Sequence, residues 1–377
     1  MSRRLLYLIT EDWFFCSHFL ERASAARAAG YEVLVLARTG DGVHAQRIRD
    51  AGLRLLPLRV QRRSTNPLAE LGVVRQVLAV YRRERPDLVH HVALKPILYG
   101  TLAARLCGLH AVVNAPVGMG FVFTSTSWRA RLLRPLVRAG LRTLLDPPGA
   151  RVVFENPDDL AALVDDHLVR REDCVLIRGA GVDTVRFRPT PEPAGEPVVT
   201  LVARMLRDKG VHEFVEAARL LRARGIAACL QLVGEPDPGN PAAIPEAELR
   251  VWHEQGVVRW LGRREDIPQL LAASHVVCLP SYREGLPKSL LEGLAAGRPL
   301  VATDVPGCRE AVIDGDNGLL VPARDAPALA DALARLLHDP GLRARMGARG
   351  RALAEASFST PRIVAQTLAL YDGMLRA

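Results

Sequence analysis

The stretch HVVCLPSYREGLPKSLLEGLAAGRPLVAT, residues 275–303, contains a strand, a helix and a second strand in one short segment. HVVCLPS (275–281) and PLVAT (299–303) are apolar runs of strand length, whereas residues 287–296 between them have helical spacing. This order predicts a βαβ unit, in which the two strands lie parallel in one sheet.

The same alternation extends along the chain in both directions. Further strand-like runs fall at residues 4–10, 31–38, 53–58, 87–93, 110–117, 198–204, 228–234 and 257–263, with helix-like segments between most of them. Periodicity is lost at residues 181–197, where prolines and glycines cluster, as in a linker. The sequence therefore predicts an α/β protein with two Rossmann-like, doubly wound parallel-sheet domains that face a central cleft.

These patterns set the expected domain boundaries. Residues 1–180 form the first domain and 198–358 the second, joined by the linker 181–197. The last segment, 359–377, is a helix whose apolar positions spread widely, so it is expected to pack, with the first domain as its candidate partner.

Composition narrows the class of protein. The chain has 377 residues, of which 49% are hydrophobic and 24% charged, as in a globular protein with a full core. The six cysteines form no CxxC pair, which argues against a disulfide framework or a zinc site and favours a reducing cytosol. No run reaches about 18 uncharged apolar residues, so no membrane span is expected.

Positive charge is concentrated in the first part of the chain. Residues 1–150 carry 22 basic and 10 acidic side chains, whereas residues 151–377 carry 28 and 31. This asymmetry indicates an anionic partner for the first domain: a membrane face, a phosphorylated substrate or nucleic acid. Aromatic residues make up only 5%, which gives little support to nucleic-acid binding.

One basic amphipathic helix is predicted at residues 127–146, SWRARLLRPLVRAGLRTLLD. Its leucines share one face, and the other faces carry Arg131, Arg134, Arg138 and Arg142. Such a helix suits an anionic membrane surface or a polyprenyl diphosphate. A helix that packs its leucines on the sheet and leaves its arginines in water has the same pattern, so both interpretations stay open.

Several motifs of other enzyme classes are missing from the sequence. It contains no GxGxxG, no GxxxxGK[ST] and no HExxH, which argues against a nicotinamide dehydrogenase, a P-loop NTPase and a zinc protease. No metal and no cofactor is expected.

The loop and helix at residues 281–296 are the predicted binding site. Pro287 fits the first position of the helix, whose amino terminus points into the predicted cleft, so its free N–H groups and dipole attract phosphate there. Glu284 lies in the loop and Glu292 lies more than one turn into the helix, so the two carboxylates flank the predicted phosphate site. Because carboxylates accept hydrogen bonds from sugar hydroxyls, the pattern suits a sugar diphosphate linked to a ribose.

A second element follows the first strand of the second domain. In ARMLRDKG (203–210), Arg204 and Lys209 are five residues apart across a loop that leads into a helix. Two cations in this position would neutralise a diphosphate and stabilise its departure as a leaving group.

The second domain resembles the family 4 glycosyltransferases with the GT-B fold. The resemblance rests on ARMLRDKG, LVG, LGRREDIPQLLAAS, DGDNGLLVP and the stretch from residue 278 to 310, which together cover about 180 residues. VHHVALKPILYG (89–100) and GMGFVFTS (118–125) are similar to bacterial transferases of capsule, O-antigen or lipid-linked glycan assembly.

The resemblance implies a retaining, metal-independent transfer of a sugar from a nucleotide donor. Glu284 would contact the donor sugar, and Lys209 and Arg204 the diphosphate. The other implied donor-site residues are Glu292 at the ribose, Gly285, Leu286, Pro287 and Lys288 beside the sugar and diphosphate, and Arg263 at the base, with Gly118 and Gly120 near the sugar.

The first domain departs from the family at two places. TEDWFFCSH (10–18) replaces a glycine-rich loop, and Val117 stands near the position of a histidine that many relatives carry. The candidates for acceptor contacts are His18 and, at predicted strand ends, Asp12, Trp13 and Lys95. His90 and His91 are better explained as structural.

The sequence as a whole predicts a glycosyltransferase of bacterial surface polysaccharide or glycan assembly. We expect a UDP-hexose or UDP-N-acetylhexosamine donor, a polyprenyl-diphosphate-linked saccharide acceptor, and a cytoplasmic protein held at the inner face of the membrane. The alternatives are a sugar-nucleotide epimerase of similar two-domain fold and a non-catalytic nucleotide-sugar-binding protein.

Overall fold

The structure, a computed structural model, describes residues 3–40, 42–60, 66–117 and 137–376. The chain divides into two compact units. The first unit comprises Met1–Ala180 and Pro361–Ala377, and the second comprises Gly181–Thr360.

The first unit contains a parallel sheet. In its described part the sheet has seven strands in the order β3-β2-β1-β4-β5-β6-β7. The strands are β1 (Arg4–Glu11), β2 (Glu32–Arg38), β3 (Arg54–Pro57), β4 (Leu88–Val92), β5 (Val112–Ala115), β6 (Arg151–Phe154) and β7 (Cys174–Leu176). The central strands β1 and β4 are buried on both faces, so β1 is a nearly continuous hydrophobic run that does not alternate, and β4 departs from this only at His90 and His91.

Helices connect these strands, and two of them begin at side-chain caps. The Asn66 side chain accepts a hydrogen bond from the backbone N–H of Leu68, and the Asn156 side chain accepts one from Asp159. The helices are Asp12–His18, Leu20–Ala28, Val43–Asp50, Pro67–Glu84, Leu94–Cys107, residues 137–144 and Pro157–Asp165. The connection between β1 and β2 is thus two helices that meet at Phe19.

The second unit, all of whose residues are described, contains a six-stranded parallel sheet in the order β10-β9-β8-β11-β12-β13. The strands are β8 (Val198–Val202), β9 (Cys229–Val233), β10 (Arg259–Trp260), β11 (Val276–Leu279), β12 (Leu300–Thr303) and β13 (Gly318–Val321). The quoted βαβ stretch forms β11, a helix and β12, which pair in parallel register. The predicted fold class of two doubly wound parallel sheets is confirmed.

The helices of the second unit lie between and after its strands. They are Val211–Ala223, Glu246–Glu254, Ile267–Ala272, Lys288–Ala295, Pro306–Ala311, Ala326–His338 and Pro340–Leu353. The helix Thr360–Met374 then adds its buried residues Ile363 and Tyr371 to the hydrophobic core of the first unit.

Each sheet has one point where the strand order reverses. In the first unit this switch point lies between β1 and β4, and in the second unit between β8 and β11. At a switch point, the loops after the two neighbouring strands lead to opposite faces of the sheet. This leaves a crevice at the carboxyl ends of the strands, where ligands of doubly wound sheets bind.

The segment 181–197 packs on the second unit although it has no helix or strand. Two arginines of that unit hold its backbone: Arg351 donates to the carbonyl oxygens of Thr184 and Phe187, and Arg298 donates to that of Pro191. Arg343 forms an ion pair with Glu192.

Candidate active site

The switch point of the second sheet brings Lys209 and Glu284 together. Lys209 follows β8 and Glu284 follows β11, and the Lys209 ammonium donates a hydrogen bond to the Glu284 carboxylate. Their side chains are 21% and 11% exposed, so the pair is largely enclosed. Two residues that the sequence placed at the site thus contact each other directly.

The loop that carries Lys209 is fixed to the end of β11 by backbone contacts. Gly210 has φ +69°, and a β-carbon there would overlap the carbonyl oxygen of Pro280. The carbonyl oxygen of Asp208 accepts hydrogen bonds from Ser281 Oγ at 3.0 Å and from the Tyr282 N–H at 2.9 Å. Sequence reasoning missed Ser281, although a small polar residue at a strand's carboxyl end was visible.

The loop that carries Glu284 is held from a third strand end. The N–H of Gly307, in the helix after β12, donates to the carbonyl oxygen of Glu284 at 3.2 Å. A β-carbon on Gly307 would overlap the carbonyl oxygen of Gly285, so only glycine permits this approach. Gly285 is half-buried here.

The helix after this loop begins at Lys288, so Pro287, which was predicted as its first residue, is its N-cap. Leu286 is buried in the core under the loop. Glu292 lies one turn into the helix, with its carboxylate 3.9 Å from the Lys288 ammonium and its side chain 13% exposed. Burial raises the pKa of Glu292, and the charges of Lys288 and Arg186 oppose that shift.

Two further predicted cations lie at the same sheet edge but have their own partners. Arg204 forms an ion pair with Asp237 at 2.7 Å, a residue of the loop after β9 that the sequence analysis did not select. Arg263, in the loop after β10, is half exposed and lies 3.9 Å from Glu265. The Gly234 N–H donates to the Gly262 carbonyl oxygen and joins these two loops.

The predicted acceptor residues lie at the carboxyl edge of the first sheet. Asp12 is 1% exposed, and its carboxylate accepts hydrogen bonds from the N–H groups of Trp13 at 2.7 Å and Gly40 at 3.0 Å. Asp12 therefore joins the loops after β1 and β2. Trp13 and His18 are partly buried, and the His18 ring stacks on Phe14 at 4.1 Å.

Lys95 is the fourth of these residues. Its ammonium lies 2.9 Å from a carboxylate oxygen of Glu70 in the helix Pro67–Glu84, and the two side chains are 33% and 20% exposed.

His90 and His91 are buried in β4. His91 contacts the Tyr81 hydroxyl at 2.8 Å and the Asn114 side-chain oxygen at 2.8 Å, and burial lowers its pKa to about 4. His90 contacts the Tyr371 hydroxyl at 2.6 Å, and burial also lowers its pKa. Both imidazoles are kept neutral inside the sheet, which is a structural role.

Some predicted residues fall where the structure gives no description. Gly118, Gly120, Arg131 and Arg134 lie outside the described residues.

The described end of the predicted basic helix, residues 137–144, is helical. Leu141 is buried in a cluster with residues of β6, Arg142 is exposed, and Arg138 forms an ion pair with Asp166. This end thus packs its apolar side on the sheet.

The described part of the chain contains neither a metal-ligating cluster nor a membrane-spanning helix. Within residues 3–40, 42–60, 66–117 and 137–376, no group of three or more His, Cys, Asp or Glu side chains is arranged to hold a metal ion. In the same ranges, no helix combines the length and the hydrophobicity needed to cross a membrane.

Two families match the chain, one for each half. Residues 196–339 match the family described as glycosyl transferases group 1, and residues 4–144 match the family described as glycosyl transferase 4-like. The second match covers β1 to β5, and the first covers β8 to β13 with the Lys209–Glu284 pair.

Individual proteins are similar over most of their length. The chain is 30% identical to D-inositol 3-phosphate glycosyltransferase of Arthrobacter sp. over 93% of this chain and 87% of that protein. It is 28% identical to N,N'-diacetylbacillosaminyl-diphospho-undecaprenol alpha-1,3-N-acetylgalactosaminyltransferase of Campylobacter jejuni, over 88% and 89%. Among solved structures, Anabaena HepE in complex with UDP and glucose superposes with a TM-score of 0.78 at 20% identity, over 98% and 99%.

Proposed function

The chain belongs to the group 1, family 4-like glycosyltransferases with the GT-B fold, and on this basis we propose that it transfers a sugar from a nucleotide-diphosphate donor to a saccharide acceptor with retention of anomeric configuration. The donor is a UDP-hexose or UDP-N-acetylhexosamine. The acceptor is a lipid-linked saccharide of bacterial surface polysaccharide or glycan assembly.

One observation carries this proposal: the enclosed Lys209–Glu284 pair at the switch point between β8 and β11. A cation and a carboxylate side by side suit the two chemically different parts of a nucleotide sugar. Lys209 stabilises the negative charge that develops on the departing diphosphate, and Glu284 accepts hydrogen bonds from the sugar hydroxyls. Because each side chain is held by the other, the site is ordered before the donor arrives.

The helix after Glu284 supplies the second donor contact. It begins without a side-chain cap in the described structure, so the N–H groups of its first turn and Lys288 can serve a phosphate oxygen, beside the backbone of Gly285 to Pro287. Glu292, one turn on, accepts hydrogen bonds from the ribose hydroxyls.

Two arginines complete the donor side. Arg204 exchanges part of its contact with Asp237 for the diphosphate, and Arg263 lies beside the base. Both follow strands of the same sheet edge as Lys209. UDP is the nucleotide to test first, since it is the one named in the HepE structure.

The acceptor binds the first unit, at the carboxyl edge where Trp13, His18 and Lys95 lie and where Asp12 joins two loops. The relative from Campylobacter is named for an acceptor linked to undecaprenol through a diphosphate, which supports a lipid-linked acceptor here. The acceptor hydroxyl attacks from the face that the diphosphate leaves, and the leaving phosphate takes its proton. The transfer proceeds without a metal ion.

A panel of nucleotide sugars tests the proposal. The protein is incubated with UDP-, GDP- and dTDP-sugars, with and without an undecaprenyl-diphosphate saccharide, in the presence of EDTA. We expect acceptor-dependent transfer, and nuclear magnetic resonance of the product should show the same anomer as the donor. Conversion of the donor to an isomer without acceptor would indicate an epimerase, and binding without turnover would indicate a sensor.

A further inference from the structure

The carboxyl edge of the first sheet contains a second cation–carboxylate arrangement that none of the roles above uses. Glu11, the last residue of β1, pairs across the strands with Arg38, the last residue of β2. Arg38 Nη2 and Nε lie 2.9 and 3.1 Å from one carboxylate oxygen of Glu11, whose side chain is 6% exposed. This pair and the Lys95–Glu70 pair flank the switch point between β1 and β4.

Each of the two carboxylates has one oxygen engaged by its cation and one without a partner. Within the described structure, the buried atoms Glu11 Oε1 and Glu70 Oε2 make no hydrogen bond. A buried acceptor that is left unsatisfied costs about 1–3 kcal/mol, so such atoms are uncommon in proteins. Two in one region indicate that a hydrogen-bond donor from outside the chain completes them.

A cavity lies beside Glu70 and beside Arg38, the partner of Glu11. It has a volume of about 310 Å³ and is lined by Arg38 and Glu70, with Leu58, Val60 and Val73 as an apolar wall. A second cavity of about 500 Å³ shares Arg59, Ala69 and Val73 with it, so the two adjoin along the helix Pro67–Glu84. These volumes are in the range of small-ligand sites.

We infer that this cavity binds a monosaccharide unit of the acceptor, whose hydroxyl groups donate a hydrogen bond to Glu70 and lie beside Arg38, the partner of Glu11. The inference rests on the proposed function, because it assigns the acceptor saccharide of that same transfer.

The polarity of the site selects its ligand. The unsatisfied oxygen of Glu70 needs a hydrogen-bond donor, which a sugar hydroxyl supplies and the ionised diphosphate of a carrier lipid does not. A neutral sugar brings a hydroxyl donor for Glu70, oxygen acceptors for Arg38 and Arg59, and a C–H face for the apolar wall.

Binding of simple glycosides tests the inference. The methyl glycosides of glucose, galactose, mannose, N-acetylglucosamine and N-acetylgalactosamine are titrated by saturation-transfer nuclear magnetic resonance, with UDP, GDP or dTDP present. At least one glycoside should bind the wild type, and Glu70→Gln should weaken it at least about tenfold, since an amide removes one carboxylate acceptor. Ala69→Trp, an exposed residue at both cavities, should block binding without disturbing the core.

Glu21→Gln is the matched control, because Glu21 is an exposed glutamate of the same unit, and it should bind as the wild type does. A wild type that binds a nucleotide but no glycoside overturns the subsite, and so does Glu70→Gln with unchanged affinity. Displacement of the glycoside by inorganic pyrophosphate also overturns it. Failure to bind any nucleotide would instead contradict the proposed function. Glycoside binding to the wild type and to Glu70→Gln would still decide whether the cavity is a sugar site.

Discussion

Lys209 and Glu284 are 75 residues apart in sequence, and their side chains are hydrogen-bonded across the switch point of the second sheet. Each comes from a different strand end, and each loop is fixed by its own backbone contacts: Asp208 to Ser281 on one side, and Gly307 to Glu284 on the other. Because these contacts hold both loops at strand ends, the geometry of the pair depends on how the strands are arranged in the sheet.

The first prediction concerns this pair. Lys209→Ala and Glu284→Ala should each lower the transfer rate by about 100-fold or more, as expected when a group that stabilises developing charge is removed. Each substitution also leaves the other charge enclosed without its partner. Initial rates with the donor from the nucleotide-sugar panel measure the effect, and circular dichroism checks the fold.

The exposed pair Arg224–Asp331 provides the control, because surface ion pairs contribute about 0–1 kcal/mol. Arg224→Ala should keep the wild-type rate. Near-normal rates in both Lys209→Ala and Glu284→Ala would contradict the placement of the donor site at this sheet edge.

The second prediction concerns Gly210. Gly210→Ala should lower the free energy of unfolding by more than about 2 kcal/mol, because it adds overlap with the Pro280 carbonyl oxygen to the strain of a positive φ. Gly225 separates these causes: it has φ +72° and no atom within 4 Å of an added β-carbon. Gly225→Ala should cost only about 1 kcal/mol. If urea unfolding showed the same loss of unfolding free energy in Gly210→Ala and Gly225→Ala, the backbone conformation alone would explain both.

Sequence patterns were sufficient for the fold because parallel strands that are buried on both faces leave continuous apolar runs. Lys209 and Glu284 could be selected because each follows such a run, and the carboxyl ends of parallel strands lie at one edge. Their direct contact could not be derived, since it depends on strand order, and strand order is set by pairing that local patterns do not record.

Partners from distant segments were the main omission. Asp237 pairs with Arg204 from a loop with no periodicity, and Glu70 pairs with Lys95 from a helix face where a glutamate is ordinary. Asp12 was selected as a ligand contact, yet the structure uses it to join two loops. In each case the sequence indicates a polar residue near a strand end, but only packing decides whether its partner is a ligand or the chain.

The third prediction concerns Glu292, whose pKa is raised by burial. The folded state holds the proton more tightly than the unfolded state, so its ionised form destabilises the protein at neutral pH. Glu292→Gln should therefore melt at a higher temperature than the wild type at pH 7, and this difference should vanish as the pH falls below the ordinary range of a carboxyl group. The same variant should bind UDP about tenfold more weakly, because it loses a charged acceptor for the ribose.

Glu216→Gln, an exposed change on the helix Val211–Ala223 of the same unit, serves as the reference and should alter neither property. If Glu292→Gln gained stability but kept its affinity for UDP, Glu292 would not contact the ribose.

The fourth prediction is a pH dependence from His91. Its folded pKa is about 4 against an ordinary value of about 6.5, so the unfolded chain takes up a proton first as the pH falls. Stability is full above about pH 6.5 and is lost progressively below it, by about 2 kcal/mol at pH 5 from this residue. His91→Gln should make the curve of unfolding free energy against pH less steep, whereas His338→Gln at the surface should not. An unchanged slope in His91→Gln would contradict the assignment.

The fifth prediction concerns the basic part of the chain. If its excess positive charge holds the protein at a membrane, binding to phosphatidylglycerol vesicles should fall steeply with salt, since the screening length shrinks from about 10 Å at 0.1 M to about 3 Å at 1 M. Arg142→Gln, at an exposed arginine of the helical residues 137–144, should weaken binding about fivefold, as expected for the loss of about 1 kcal/mol per arginine near an anionic surface. Arg250→Gln, at an arginine of the second unit that is also exposed, should have little effect. Cosedimentation with phosphatidylglycerol and with phosphatidylcholine vesicles measures how binding depends on salt and on lipid charge. Binding that persists at 1 M salt, or that is equal for the two lipids, would contradict a contact held by charge.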